Sequence, residues 1–317
     1  MSSNELAENQ RPDTGAVHRI VLPLDGSPVA ERALPYAEAL ATLMGAPLHV
    51  VRVIDPLQPG SPLGNLLAVD ALALDIWLEG ERVAAREYLE HLQGDVQTRQ
   101  LPVSVERLEG PTVDALLAAT RPGDLLVMAT HGRGGPARWF LGSTAEAVLR
   151  RATVPILLVR ADETVPAQPG FSRIVVPLDG SERAEEALPM ARNLAKLMHI
   201  PVHLVTVMHV SGIMALDLAV AAFNADRLEN DIIELSIEAE RHIAHACDEL
   251  EAAGIVPTTD VLHGEPGLSI VNATHPGDLI VMTTHGRSGP ARWMLGSVAE
   301  TVLRHSPVPV LLLRVEV

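Results

Sequence analysis

The chain has 317 residues, 47% of them hydrophobic but only 3% aromatic, and a formal net charge of −16. That length suits two ordinary domains with cores of Leu, Val, Ile, Ala and Met. The acidic balance, with no Lys/Arg run, excludes the phosphate backbone of nucleic acid as a partner, and the lone Cys247 excludes an intrachain disulfide.

Residues 1–16 read as a disordered tail without the apolar stretch of a secretory signal, and the apolar window Leu63 to Leu78 is broken by Asp70 and Asp75 and too short to span a bilayer. No membrane partner and a cytoplasmic location are therefore expected. Residues 18–24 (HRIVLPL) then form a short β-branched run, and residues 30–45 (AERALPYAEALATLMG) have helical period and end on a glycine cap. Leu34-Pro35 lies inside that pattern, which predicts a kink or a late helix start.

A second strand follows at 46–55 (APLHVVRVID), then a long irregular stretch, 56–80, and an amphipathic helix over 81–94 (ERVAAREYLEHLQG). Beyond it come a strand at 102–110, a helix at 111–120, a strand at 124–130 (DLLVMAT), a helix at 143–151 and a last strand at 154–160 (VPILLVR). Pro122-Gly123-Asp124 reads as a turn and nothing more. Strand alternates with helix, and the apolar strands look buried on both faces, so a parallel sheet with helices on both sides is implied.

The whole pattern occurs twice. RIVLPLDGS at Arg19–Ser27 returns as RIVVPLDGS at Arg173–Ser181, an offset of 154 that also relates His49 to His203, Gly110 to Gly264 and Gly142-Ser143 to Gly296-Ser297. Between 129–160 and 283–314, 22 of 32 positions are identical. The expected organisation is a tail at 1–16, a domain at 17–160, a Pro- and Gly-containing linker at 161–171 and a second domain at 172–317, each an open five-stranded parallel sheet of Rossmann-like type.

Ligands of such sheets bind at the carboxyl ends of the strands, where strand order reverses. Arriving there in the first half are Pro23, Leu24 and Asp25, then Val53, then Gly110, then Ala129 to Arg133; the second half brings Pro177, Leu178 and Asp179, Val207, Gly264, and Thr283 to Arg287. The loop after the fourth strand holds Gly132 and, after nine intervening residues, Gly142-Ser143-Thr144 at a helix start; its repeat holds Gly286 and Gly296-Ser297-Val298. Glycine lets backbone amides reach an oxyanion, and a helix start adds unpaired N–H groups and a favourable dipole, so a triphosphate fits such a cradle. Arg133, Arg138, Arg287 and Arg292 are the nearest cations, Asp25 and Asp179 can accept bonds from a ribose or a base, and Val53 and Val207 can wall an adenine.

On these residues both halves resemble the universal stress protein domain, and the chain resembles a tandem member of that family. The resemblance implies an adenine nucleotide alpha hydrolase-like fold. It also implies ATP as the ligand, with or without Mg²⁺, on Gly132, Gly142 and Ser143 and on Gly286, Gly296 and Ser297. Asp25 and Asp179 then lie by adenine or ribose. The last strands of that family tend to pair across a dimer interface, which a tandem chain can satisfy internally, as a pseudo-dimer that can itself form a homodimer. The family's pattern opens with a glycine where this chain has Ala129 and Thr283; a threonine at positive φ would be strained, which ranks the second site below the first.

Structural readings compete with these. Ser143 and Ser297 each precede a glutamate by three residues, the spacing of a capping box. His131 and His285 read as loop anchors, Trp139 and Trp293 as packing residues, His242 and His245 as a pair without a third metal ligand, and Cys247 as a buried or half-buried helix residue. No GxxxxGK[ST] loop, nucleophile elbow or spaced carboxylate pair is present, so no catalytic residue is assigned and ATP hydrolysis or self-phosphorylation is at most slow. The expected role is a nucleotide-dependent stress sensor or adaptor; the alternatives are a nucleotide-free dimeric scaffold and a slow ATPase.

Overall fold

The computed structural model describes residues 17–57, 71–130, 142–161, 169–208, 237, 241, 243–284 and 295–314. Ten strands follow in chain order: β1 (Arg19–Pro23), β2 (Leu48–Ile54), β3 (Val103–Glu109), β4 (Asp124–Thr130), β5 (Ile156–Arg160), β6 (Arg173–Leu178), β7 (Val202–Met208), β8 (Thr258–His263), β9 (Asp278–Thr283) and β10 (Val310–Leu313). Within each half the neighbours are parallel, as the alternating pattern requires, because every return crosses over through a helix.

The two halves join into one ten-stranded sheet of order β3-β2-β1-β4-β5-β10-β9-β6-β7-β8. The seam is antiparallel, with Val310 opposite Leu158, Leu311 opposite Leu157 and Leu312 opposite Ile156. The pairing of last strands is thus made inside the chain, and the expected open sheet of each half is closed on one edge by the other.

Helices cover both faces. On one, Tyr36, Ala37, Leu40 and Ala41 of the helix Leu34–Met44 and Leu89, Leu92 and Val96 of the helix Ala71–Gln97 bury against Ile20, Leu22, Leu48 and Val50. On the other, Leu116 of the helix Thr112–Ala119 and Val148 and Leu149 of the helix Ser143–Arg151 bury against Val21, Val51, Leu126 and Met128. Both apolar layers continue through the second half, so the seam lies within shared core.

The late helix start at Leu34-Pro35 is present. A short turn of helix, Pro28–Glu31, precedes Leu34–Met44, whose first turn holds Pro35, where a missing N–H costs nothing. Gly45 ends it at φ 61, and the second half copies the plan, with Glu182–Glu185, Leu188–Met198 and His199 as the left-handed cap at φ 54.

Two expectations of the fold need correction. The third helix begins at Ala71, not Glu81, because its opening turns expose Leu72 and Ile76 and carry no amphipathic signal. Pro-Gly-Asp is more than a turn: Asp124 is buried and takes a bidentate grip from Arg19, Nε to Oδ1 at 3.0 Å and Nη2 to Oδ2 at 2.6 Å, as Asp278 does from Arg173.

The halves also differ by a compensated exchange of bulk. A Cβ on Gly267, in the helix Pro266–Asn272, would stand 2.4 Å from Thr301 of the helix Ser297–His305. At the same offset the first half has Val113 and Ala147, a larger residue in place of the glycine and a smaller one in place of the threonine.

Candidate functional site

Strand order reverses between β1 and β4 and again between β6 and β9, so the carboxyl edge at these points forms the crevice of each half. At the first, β1 ends on Pro23 and the buried Leu24, whose N–H donates to the Val51 carbonyl at 2.9 Å, and the chain then exposes Asp25. Asp25 Oδ1 accepts from the Ser27 N–H at 2.8 Å, and Ser27 in turn caps the Ala30 N–H at 3.1 Å. Asp179 and Ser181 repeat this turn, with Pro177 and Leu178 buried before it. The turns hold the two carboxylates at the sheet edge, exposed to solvent.

Val53 and Val207 stand half-buried near the ends of β2 and β7, and Gly110 and Gly264 follow β3 and β8 at φ 126 and 127, a backbone few side chains allow. Buried Asp55 ties two of these loops together. Its Oδ1 accepts from the Leu57 N–H at 2.9 Å, and its Oδ2 from the Thr112 N–H at 2.8 Å and hydroxyl at 2.9 Å. Asp55 thereby caps the helix that follows Gly110, whereas in the second half Glu265 caps its own helix, accepting from Gly267 and Leu268.

The helix starts at the fourth strands correct the capping-box reading. The N-caps are Gly142 and Gly296, without a side-chain cap bond, while Ser143 and Ser297 are the first helical residues and exposed. The hydroxyls are therefore not spent on the cap, and the N–H groups of the first turn point out of the helix end without intrahelical acceptors. Thr144 and Val298 follow, half-buried. In the second half the Gly296 N–H donates to the Thr284 carbonyl at 2.9 Å, which brings this helix start back to the end of β9.

Ala129 and Thr283 are strand residues, paired with Val159 in β5 and Leu313 in β10. Neither has positive φ, so the strain expected of Thr283 is absent and the ranking of the two sites loses its ground. His131, Gly132, Arg133, Arg138, Trp139, His285, Gly286, Arg287, Arg292, Trp293 and His242 lie outside the described residues, as do the tail at 1–16 and linker residues 162–168.

One neighbour of the first crevice was missed from sequence. The Arg52 guanidinium stacks over the Tyr88 ring at 5.2 Å, lies 3.9 Å from Glu81, and has Nη1 3.2 Å from where a Cβ on Gly26 would be. The Tyr88 hydroxyl donates to Glu31 at 2.9 Å, and burial, then that bond, raises the phenol's pKa. At the matching offset Thr206 instead donates to the Leu178 carbonyl at 2.6 Å, so a break in the repeat was the available signal. Cys247 is half-buried, and burial and then Glu251 and Asp248 raise its thiol pKa, which fits a packing role. Among the described residues no group of three or more His, Cys, Asp and Glu could hold a metal ion, and no helix is long and apolar enough to cross a membrane.

A sequence profile of the Universal stress protein family matches residues 16–160 and 170–314. A universal stress protein of Mycobacterium tuberculosis (strain ATCC 25618 / H37Rv) is 28% identical over 303 residues, which cover 94% of this chain and 97% of that protein. A second from the same strain is 25% identical over 316 residues, covering 93% and 95%. Among solved structures, a universal stress protein from Archaeoglobus fulgidus DSM 4304 superposes with a TM-score of 0.67 at 23% identity, covering 93% of this chain and 98% of that one, a likeness of fold. With both of its halves matched in order, the chain belongs to the universal stress protein family.

Proposed function

We propose that the chain is a stress-response protein that binds ATP at the carboxyl edge of each half and uses occupancy to bias its assembly or its choice of partner. The observation that carries this reading is the doubled helix start, in which Gly142-Ser143 and Gly296-Ser297 each present a glycine cap without a side chain, an exposed hydroxyl and first-turn N–H groups without intrahelical acceptors. The fit is chemical as well as positional. An anion is favoured at a helix start by the dipole, and the exposed Asp25 and Asp179 offer acceptors suited to ribose hydroxyls or an adenine amine.

In this reading Pro23, Leu24 and Val53 wall the base of the first site, Gly110 lets the ligand pass close to the backbone, and Gly132, Arg133, Gly142, Ser143 and Thr144 take the phosphates. Pro177, Leu178, Val207, Gly264, Gly286, Arg287, Gly296, Ser297 and Val298 do the same in the second site. Ala129 and Thr283 serve as strand residues at the root of the phosphate loops, with His131 and His285 anchoring those loops. Mg²⁺, where it takes part, is carried by the phosphates themselves and balances their charge.

Calorimetric titration with ATP, with and without Mg²⁺, joined to a native mass spectrum, tests the reading. Two nucleotides per chain are expected. Absence of binding at millimolar ATP would leave the nucleotide-free scaffold, and phosphate release lost in a Gly142/Gly296 double variant would favour the slow ATPase.

A further inference from the structure

The helices that open on the two candidate phosphate cradles are short, Ser143–Arg151 and Ser297–His305, and each must also satisfy the carbonyls at its far end. Among the described residues, each helix end takes its arginine from the other half. Arg160, the last residue of β5, donates from Nη1 to the carbonyls of Ser306 at 3.1 Å and His305 at 3.5 Å, at the end of the second half's helix. Arg314, just past β10, donates to the carbonyls of Ala152 at 2.7 Å and Arg150 at 3.1 Å, at the end of the first half's helix. The exchange is reciprocal across the seam, and a cation at a helix carboxyl end also meets the negative pole of its dipole.

Each arginine is rooted beside its own half's site. Arg160 pairs in register with Thr130 of β4, and the Ala161 N–H donates to the Thr130 carbonyl at 3.2 Å, at the point where the first phosphate loop leaves the sheet. Arg314 follows Leu313, which pairs with Thr283 and whose carbonyl accepts from the Thr284 N–H at 3.0 Å, the same point in the second half. The helix between clamp and cradle is nine residues, about 13 Å at the usual rise. The two helices face each other across a cleft lined by Leu149 and Arg150 on one side and Leu303 and Arg304 on the other.

We infer that Arg160 and Arg314 are positioning residues that couple the two candidate nucleotide sites, each arginine holding the helix of the site in the other half. The inference rests on the nucleotide reading for its ligand. Binding in the first half orders the end of β4 and with it Arg160, which steadies the second half's helix before its own nucleotide arrives. Ordering done once is not repeated, so the coupling is positive and, by linkage, acts equally in both directions.

The test uses full-length chains in which one cradle is blocked. Gly142 has φ −54 and Gly296 φ −63, so Gly142→Val and Gly296→Val crowd the phosphate position without straining the backbone. In the Gly142→Val chain, where the second site alone binds, Arg160→Ala is expected to weaken ATP about fivefold or more and Arg314→Ala to leave it unchanged. The Gly296→Val chain shows the mirror image. The unblocked chain is expected to bind with a Hill coefficient above one, which the double arginine variant should return to one.

Arg160→Lys, which keeps the charge but loses the fork, falls between, and replaces the alanine variant should that not fold. An arginine variant that weakens only its own half's site, or neither site while ATP still binds, overturns the coupling. Hydrogen exchange on the ligand-free chain separates the two ideas. Faster exchange at 297–305 but not 143–151 in Arg160→Ala supports the clamp even if ATP never binds, and unchanged exchange at both overturns it.

Discussion

The Arg19 guanidinium holds both carboxylate oxygens of Asp124, which is 3% exposed, and so locks the first strand of the half to the fourth. The same Asp124 also accepts from the Arg121 N–H at 2.8 Å, which leaves few of its lone pairs unused. Removing the carboxylate strands a largely buried guanidinium. Asp124→Ala should therefore lower unfolding stability by about 3 kcal/mol, measured as a shift in urea midpoint, and Asp278→Ala should match it. A loss well under 1 kcal/mol in both would show that the pair is not a tether.

His49 and His203 predict an acid response. Burial, then Arg19, lowers the pKa of His49 below 6.5, and burial, then Arg173, does the same for His203, against smaller opposing effects of Glu106 and Asp260. Because the fold favours the neutral ring, this stability is present above pH 6.5 and is lost as pH falls through the lower native values. Urea midpoints followed from pH 7.5 downward should drop, and His49→Gln with His203→Gln should flatten the upper part of that slope. An unchanged slope would remove the imidazoles as its source.

His199 occupies a left-handed cap that Gly45 fills in the first half. His199→Gly relieves the cost of a Cβ at φ 54 and gives some of it back as unfolded-chain entropy. The net gain should be about 0.5–1 kcal/mol, and Gly45→His should lose a similar amount. Thermal unfolding of the two variants checks both signs.

Gly267 and Thr301 should behave as one unit. Gly267→Val drives a side chain into Thr301 and should cost about 1–3 kcal/mol, while Thr301→Ala restores most of that by recreating the Val113–Ala147 arrangement. The double-mutant cycle is the measurement, and additive losses would contradict it.

Thr283→Gly, which restores the glycine of the family pattern, should not strengthen ATP binding, because Thr283 already lies in extended strand paired with Leu313. It should instead cost about 1 kcal/mol through loss of strand preference. Tighter binding in that variant would mean that the position does need positive φ when ATP is present.

The doubled architecture was legible because repeat, strand pattern and turn glycines agreed with one another. Gly45 and Leu34-Pro35 could be placed from local chemistry alone. What was hidden depended on residues far apart in sequence: Arg19 finds Asp124 only once β1 and β4 lie side by side, and Asp55 finds Thr112 only across two loops. The opening of the helix Ala71–Gln97 was invisible because Leu72 and Ile76 face solvent. At the candidate site the spacing Ser-x-x-Glu pointed to a cap, but Gly142 and Gly296 occupy the cap position and move each serine one place into the helix.

The antiparallel seam at Leu157 and Leu311 has one more effect. Two separate half-size chains meeting at such an edge would come apart on dilution, whereas here the partner edge is tethered at an effective concentration on the millimolar scale. The remaining edges, β3 and β8, carry charges such as Glu106, Arg107 and Asp260 that discourage another strand from adding. The paired state is therefore independent of how much protein the cell makes, and the coupling proposed between the halves would survive at copy numbers too low for a dimer to form.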